Sequence, residues 1–291
     1  MTETLAVHKM DEGFAGFLRF GTGIVHSSFK RVINISSRGE IFSIASSDVS
    51  PGFNTAVTNA FDFQDFNLPE EASVSCHNGI LQLGASIRVD CRFGEIIDCG
   101  IHFFPSFSRK NLSSGLFCLE SSLRRRSSLI GCLSFVRERF LDPDFVEASS
   151  IQQYINSRLS NLCDAYPDWM LFVRCAREII GLGIGLTPSG DDFLCGFILT
   201  LGAAESPGFS PITNSLLSAF TELSTTDVSL QMLRGAFMGK TTWAHIALLN
   251  SVFNSGVDIE TVLDRMETIG HSSGMDFTAG VVSACHCLLS N

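Results

Sequence analysis

The sequence predicts an α+β fold: a small antiparallel β-barrel or sandwich over residues 1–110, then an α-helical bundle over 111–291 with two buried central helices. Three observations carry this. Leu81, Leu83, Ala85, Ile87, Val89 and Cys91 alternate without a break, the period of a half-buried strand. After residue 110 the apolar residues recur at helical spacing. Two segments, 193–204 and 277–289, are apolar on nearly every face, as helices inside a bundle are.

The β half reads as short strands with turn chemistry between them. Residues 31–36 form a β-branched run, and 40–45 place Phe42 and Ile44 at alternate positions. Asn78-Gly79 between two apolar runs is a two-residue hairpin turn. Ser50-Pro51-Gly52 is a second turn, and one short helix is expected before the sheet, over 12–20. In the second half, helices are expected over 112–136 (broken at Arg124-Arg125-Arg126), 152–162, 168–180, 212–223, 228–237, 242–253 and 259–269. Thr225, Thr226 or Asp227 supplies the cap before 228. Gly196, Gly202, Ala279, Gly280 and Ala284 leave room for the two apolar helices to approach closely.

Composition limits the partners. The 291 residues are 45% hydrophobic and 17% charged, enough apolar matter for a well-filled core. The net charge of −10 argues against general binding to nucleic acid or anionic membranes. No leader with a basic start and an apolar stretch is visible, and the longest apolar run is too short to span a bilayer. The expectation is a soluble, cytoplasmic protein. The 10 cysteines contain no C-x-x-C, so they read mainly as buried small hydrophobes. Cys285-His286-Cys287 also reads as core, because positions i and i+2 of a helix point apart.

One pattern is written twice. Ser189-Gly190-Asp191-Asp192-Phe193 and Ser273-Gly274-Met275-Asp276-Phe277 share the frame S-G-x-D-F-x-x-G, and each opens one of the apolar segments. The approach to the first, Gly181-Leu182-Gly183-Ile184-Gly185-Leu186-Thr187-Pro188, lacks the preceding strand and the spacing of a dinucleotide fingerprint. Nor does a Gly-Lys-Ser/Thr close it as a P-loop. It reads as a helix end, a turn and a new helix start, with Thr187 or Ser189 as N-cap and the aspartates on the positive end of the dipole. The structural alternative is that these residues only cap helices.

The functional alternative is an anion site, in which Gly185, Thr187, Ser189, Gly190, Asp191, Ser272, Ser273 and Gly274 bind substrate through amides and hydroxyls. Lys240, in a Gly239-Lys240-Thr241 that resembles only the tail of a P-loop, could neutralise the anion, and Arg234 could do so too. Asp192, Asp276 and His271 are the catalytic candidates, His271 because its charge changes near neutral pH. Asp191, Asp192 and Asp276 could instead hold Mg²⁺. If the two apolar helices are parallel, both collars lie at one end of the bundle.

The pair G-x-G-x-G-L-T-P-S-G-D-D-x-L-x-G and G-H-S-S-G-x-D resembles a bacterial family whose best-described members are the smallest subunit of oxamate carbamoyltransferase, an enzyme of anaerobic allantoin breakdown in purine catabolism. The resemblance is strongest from about Gly181 to Gly280. It implies a part in a multi-subunit complex that moves a carbamoyl group between oxamate and phosphate, giving oxalurate or, in reverse, carbamoyl phosphate. A non-catalytic scaffold or regulatory subunit is the second reading. A metal-dependent hydrolase or lyase is the third.

Overall fold

The computed structural model describes residues 3–64, 66, 68–85, 87–101, 108–126, 131–204, 225–254 and 258–290. They form two compact units: Met1–Gly100 with Lys240–Trp243, and Ile101–Gly239 with Ala244–Asn291. The chain thus leaves the first unit after Gly100 and returns to it for one short strap.

The first unit is a closed barrel of eight strands with a ninth attached. Its strands are β1 (Glu3–Asp11), β2 (Thr22–Ser28), β3 (Val32–Ser37), β4 (Glu40–Ala45), β5 (Thr55–Thr58), β6 (Ser73–His77), β7 (Ile80–Leu83), β8 (Ile87–Asp90) and β9 (Glu95–Ile97). The order is β5-β4-β3-β2-β6-β7-β8-β1, and β1 closes the ring by pairing antiparallel with β5. Closure removes the open edges that invite aggregation. Val25, Ile33, Ile35, Ile44, Leu81, Leu83, Ile87 and Val89 fill the interior. Helix α1 (Glu12–Phe17) is capped by Asp11, whose carboxylate accepts from Gly13 N, and it sends Phe14 and Phe17 against Phe42.

Three expectations change here. The barrel is mixed, not antiparallel: β1–β8, β1–β9 and β4–β5 are parallel pairs. The short helix does not precede the sheet but joins β1 to β2, two strands with no legible alternation. The long alternating run also folds in two at Gly84 (φ +54), so Leu83 pairs with Ile87 and Leu81 with Val89. The side chains still share one face, which is why the pattern reads as unbroken.

The second unit is helical: α2 (Arg109–Arg125), α3 (Leu133–Val136) running into a π-helical turn (Arg137–Leu141), α4 (Ser150–Ala165), α5 (Trp169–Ile179), α6 (Ser189–Ala203), α7 (Asp227–Phe237), α8 (Trp243–Phe253), α9 (Ile259–Glu267) and α10 (Ser273–Ser290). The helix expected over 212–223 lies outside the described residues. Arg126 does not float in solvent but pairs with Glu260, Asp264 and Glu267 on α9. Among the described residues no helix is long and apolar enough to cross a membrane.

Residues 190–203 of α6 and 274–285 of α10 are all buried. The two helices touch backbone to backbone. A Cβ at Gly196 would overlap the carbonyl oxygen of Phe277, and one at Gly280 would overlap that of Phe193. Phe193 and Phe277 are the same position of the repeated frame, as are Gly196 and Gly280. The contact is therefore reciprocal, as across a local two-fold axis. Each buried Phe or Leu adds about 2 kcal/mol, and several of them offset the cost of the carboxylates buried beside them.

Candidate functional site: two helix collars that meet

The two copies of the motif come together. Thr187 Oγ1 and Ser273 Oγ lie 2.8 Å apart, joining the loop before α6 to the first residue of α10. The layout of each collar is the same. Gly190 N donates to Leu182 O at 2.8 Å, and Gly274 N donates to Ile269 O at 3.2 Å. Without a Cβ, Gly190 and Gly274 let the carbonyls of Ile179 and Met266, near the ends of the preceding helices, press against them.

Several of the amides expected to be free are engaged. Asp191 N and Asp192 N both donate to Pro188 O, while Met275 N and Asp276 N both donate to Ser272 O. Thr187 and Ser189 are not caps either: Pro188 holds the N-cap position of α6, with no side-chain bond. The half-buried Thr187, Ser189, Ser272 and Ser273 instead offer hydroxyl oxygens beside the carboxylates.

The three motif aspartates are not alike. Asp191 is fully engaged: Oδ1 accepts from Gly181 N at 2.8 Å, and Oδ2 accepts from the hydroxyls of Thr225 and Ser229. It ties the α5–α6 turn to the start of α7. Asp192 and Asp276 are 2% and 0% exposed, yet Oδ2 of each has no hydrogen-bond partner. Asp276 Oδ1 accepts from Cys132 N at 2.6 Å. Burial raises all three carboxyl pKa values, that of Asp192 well above the usual range, and the charge of Asp276 adds to the rise at Asp192. Ser273 and Thr187 oppose the shift at Asp192, while Cys132 N, Ser272 and Ser189 oppose it at Asp276. None of these groups has the alignment of a hydrogen bond to either Oδ2.

A third contributor was invisible in the sequence. Gly131 (φ +61) and Cys132 precede α3 and bring their backbone against Asp276; a Cβ at Gly131 would strike its Oδ1. The Cys132 thiol lies 3.4 Å from Ser189 O, and burial pushes its pKa far up. No motif marks this pair. Thr226 is the cap of α7, accepting from Ser229 N at 3.0 Å, while Thr225 turns to Asp191.

Gly185 lies in the exposed loop that ends at Leu186, with φ +96. His271 is exposed, just before the second collar. Lys240 belongs to the barrel unit, where it bridges to Gly100 and faces Glu12 Oε2 at 3.7 Å. Cys285 and Cys287 are buried, and His286 bonds Glu120 at 2.6 Å while stacking on Phe140. A cavity of about 370 Å³, lined by Asn111, Ser122, Arg125 and Glu260 among others, shares no residue with the collars. Among the described residues no three His, Cys, Asp or Glu side chains gather as a metal set.

Residues 179–285 match the family described as oxamate carbamoyltransferase subunit AllH, and residues 5–95 match the AllH family N-terminal domain. The chain belongs to the AllH family. No solved structure matches it. Both collars fall inside the first of these matched regions, whereas Gly131 and Cys132 lie between the two. The AllH description is of a subunit, so other enzyme subunits are its partners.

Proposed function

We propose that this chain is a working subunit of a carbamoyl-transferring enzyme, with its part of the site at the paired collars. The reaction is that of carbamoyl phosphate and oxamate with oxalurate and phosphate, run in either direction. Joining the oxamate nitrogen to the carbamoyl carbon breaks the carbon–oxygen bond to phosphate and releases one proton from nitrogen. Asp192 and Asp276 are suited to take that proton, because burial makes a carboxylate more basic. The hydroxyls of Thr187, Ser189, Ser272 and Ser273 orient the substrate oxygens. His271, exposed beside the collar, passes the proton to solvent.

The observation that carries the reading is the reciprocal pair of unpartnered, buried carboxylate oxygens where the two helix starts meet. A scaffold has no use for it, since Asp191 shows what a purely structural aspartate looks like in the same motif. Two carboxylates repel a phosphate, however, so the counter-charge for the anion has to come from outside this set of residues. The test is phosphate release from carbamoyl phosphate and oxamate by the full chain with its partner subunits. Asp192→Asn or Asp276→Asn should lower kcat at least 100-fold with the complex intact. Wild-type turnover in both variants would sink the proposal.

A further inference from the structure

We infer that Asp192 Oδ2 and Asp276 Oδ2 together bind one hard divalent cation of the Mg²⁺ type, whose remaining coordination positions take oxygens of an anionic substrate. Both carboxylates are more than nine-tenths buried, and their Oδ2 atoms have no protein donor. They sit at equivalent positions of two collars that touch through Thr187 and Ser273, close enough for the charge of Asp276 to act on Asp192 and for both to act on Cys132. Hydroxyls of Thr187, Ser189 and Ser273 stand around them, and among the described residues no cation pairs with either. Two buried carboxylates without a counter-charge are costly; a cation removes that cost.

The ligand set decides which cation. Apart from the Cys132 thiol, which is turned to Ser189 O, every available donor is oxygen, the preference of Mg²⁺, Mn²⁺ and Ca²⁺ rather than of zinc or copper. Zinc would want three or four His, Cys or carboxylate ligands, and no such group gathers among the described residues. Mg²⁺ is commonly held by one or two carboxylates and completed by water and substrate phosphate. Asp191 is excluded as a ligand, because Gly181, Thr225 and Ser229 occupy its oxygens. Asp276 Oδ1 is likewise fixed by Cys132 N, which aims Oδ2.

This deepens the carbamoyl-transfer reading: the cation supplies the missing positive charge for the anion, the two carboxylates then serve as its ligands and the departing phosphate takes the proton from the oxamate nitrogen in their place, and the test does not need turnover. The chelator-treated full chain is titrated with MgCl₂ and MnCl₂ by calorimetry, and Mn²⁺ binding is followed by electron paramagnetic resonance. One ion per chain is expected, with a rise in Tm, and binding at least ten-fold weaker in Asp192→Asn and Asp276→Asn. Asn at 276 still offers an oxygen to Cys132 N, and circular dichroism verifies that each variant is folded. Carbamoyl phosphate should then bind in Mg²⁺ and not in chelator. Absence of divalent binding in the wild type, or equal binding in the variants, overturns the inference. Ion binding without any transfer activity in the full complex would instead count against the proposed reaction and leave the cation site standing.

Discussion

Asp191 and Asp192 are neighbours in sequence, equal in charge and both buried, yet their hydrogen-bond surroundings differ. Asp191 receives one amide and two hydroxyls. Replacing it by Asn turns an NH₂ group toward donors and leaves them unsatisfied, at a cost of about 2–4 kcal/mol, measurable by urea unfolding. Asp192 Oδ2 has no aligned donor, so Asp192→Asn should hold or raise Tm in chelator. His245 offers a third single-residue test. It is buried and stacked on Phe277 at 3.8 Å, and burial pushes its pKa down to about 3. The unfolded chain binds a proton near pH 6.5 that the folded chain refuses. Stability should therefore fall as pH drops below that value, by at most about 1.4 kcal/mol per unit, levelling off near pH 3. Unfolding of wild type and His245→Phe at pH 7 and pH 5 measures this; the variant should lose part of the difference, and an unchanged difference would show that His245 does not cause it. The aspartates were legible in the sequence as a motif, but which one is structural was not, because that depends on Thr225 and Ser229, more than thirty positions away.

At the scale of elements, the repeated frame predicted its own packing. Full apolar coverage marks α6 and α10 as central, and the glycine at the end of each frame marks where they touch. Gly196→Ala and Gly280→Ala each drive a methyl into a carbonyl of the facing helix, where the backbone cannot turn aside. Each should cost about 3 kcal/mol, and the two together less than the sum, because the first already separates the helices. Thermal melts of the singles and the double check this; loss below about 0.5 kcal/mol would mean the contact is loose. The collar amides went the other way. Helix starts usually leave several N–H groups unpaired, and the expectation of an amide cradle followed from that. Here carbonyls of the preceding turns, Leu182 O and Ile269 O, take the Gly190 and Gly274 amides, and the next two amides of each helix make its first-turn bonds to Pro188 O and Ser272 O. Loop geometry of that kind is not encoded in residue type alone.

For the molecule as a whole, the division into a β half and a helical half is legible because the hydrophobic period changes near residue 110. The closing of the barrel is not, since parallel pairs such as β1–β8 join segments far apart in sequence with no turn signal between them. The strap Lys240–Trp243, which returns to the barrel, gave no signal either. Nor did any pattern mark Gly131 and Cys132, which hold one of the two carboxylates. The central claim is that Asp192 and Asp276, brought together from the two copies of one motif, act as a unit. The most direct measurement is turnover of carbamoyl phosphate and oxamate by the assembled enzyme carrying Asp192→Asn, Asp276→Asn or both. A unit predicts that the double variant loses about as much as either single, on the order of 100-fold or more, with Tm in chelator held or raised. Independent, multiplying losses, or a parallel collapse of Tm and activity, would contradict it.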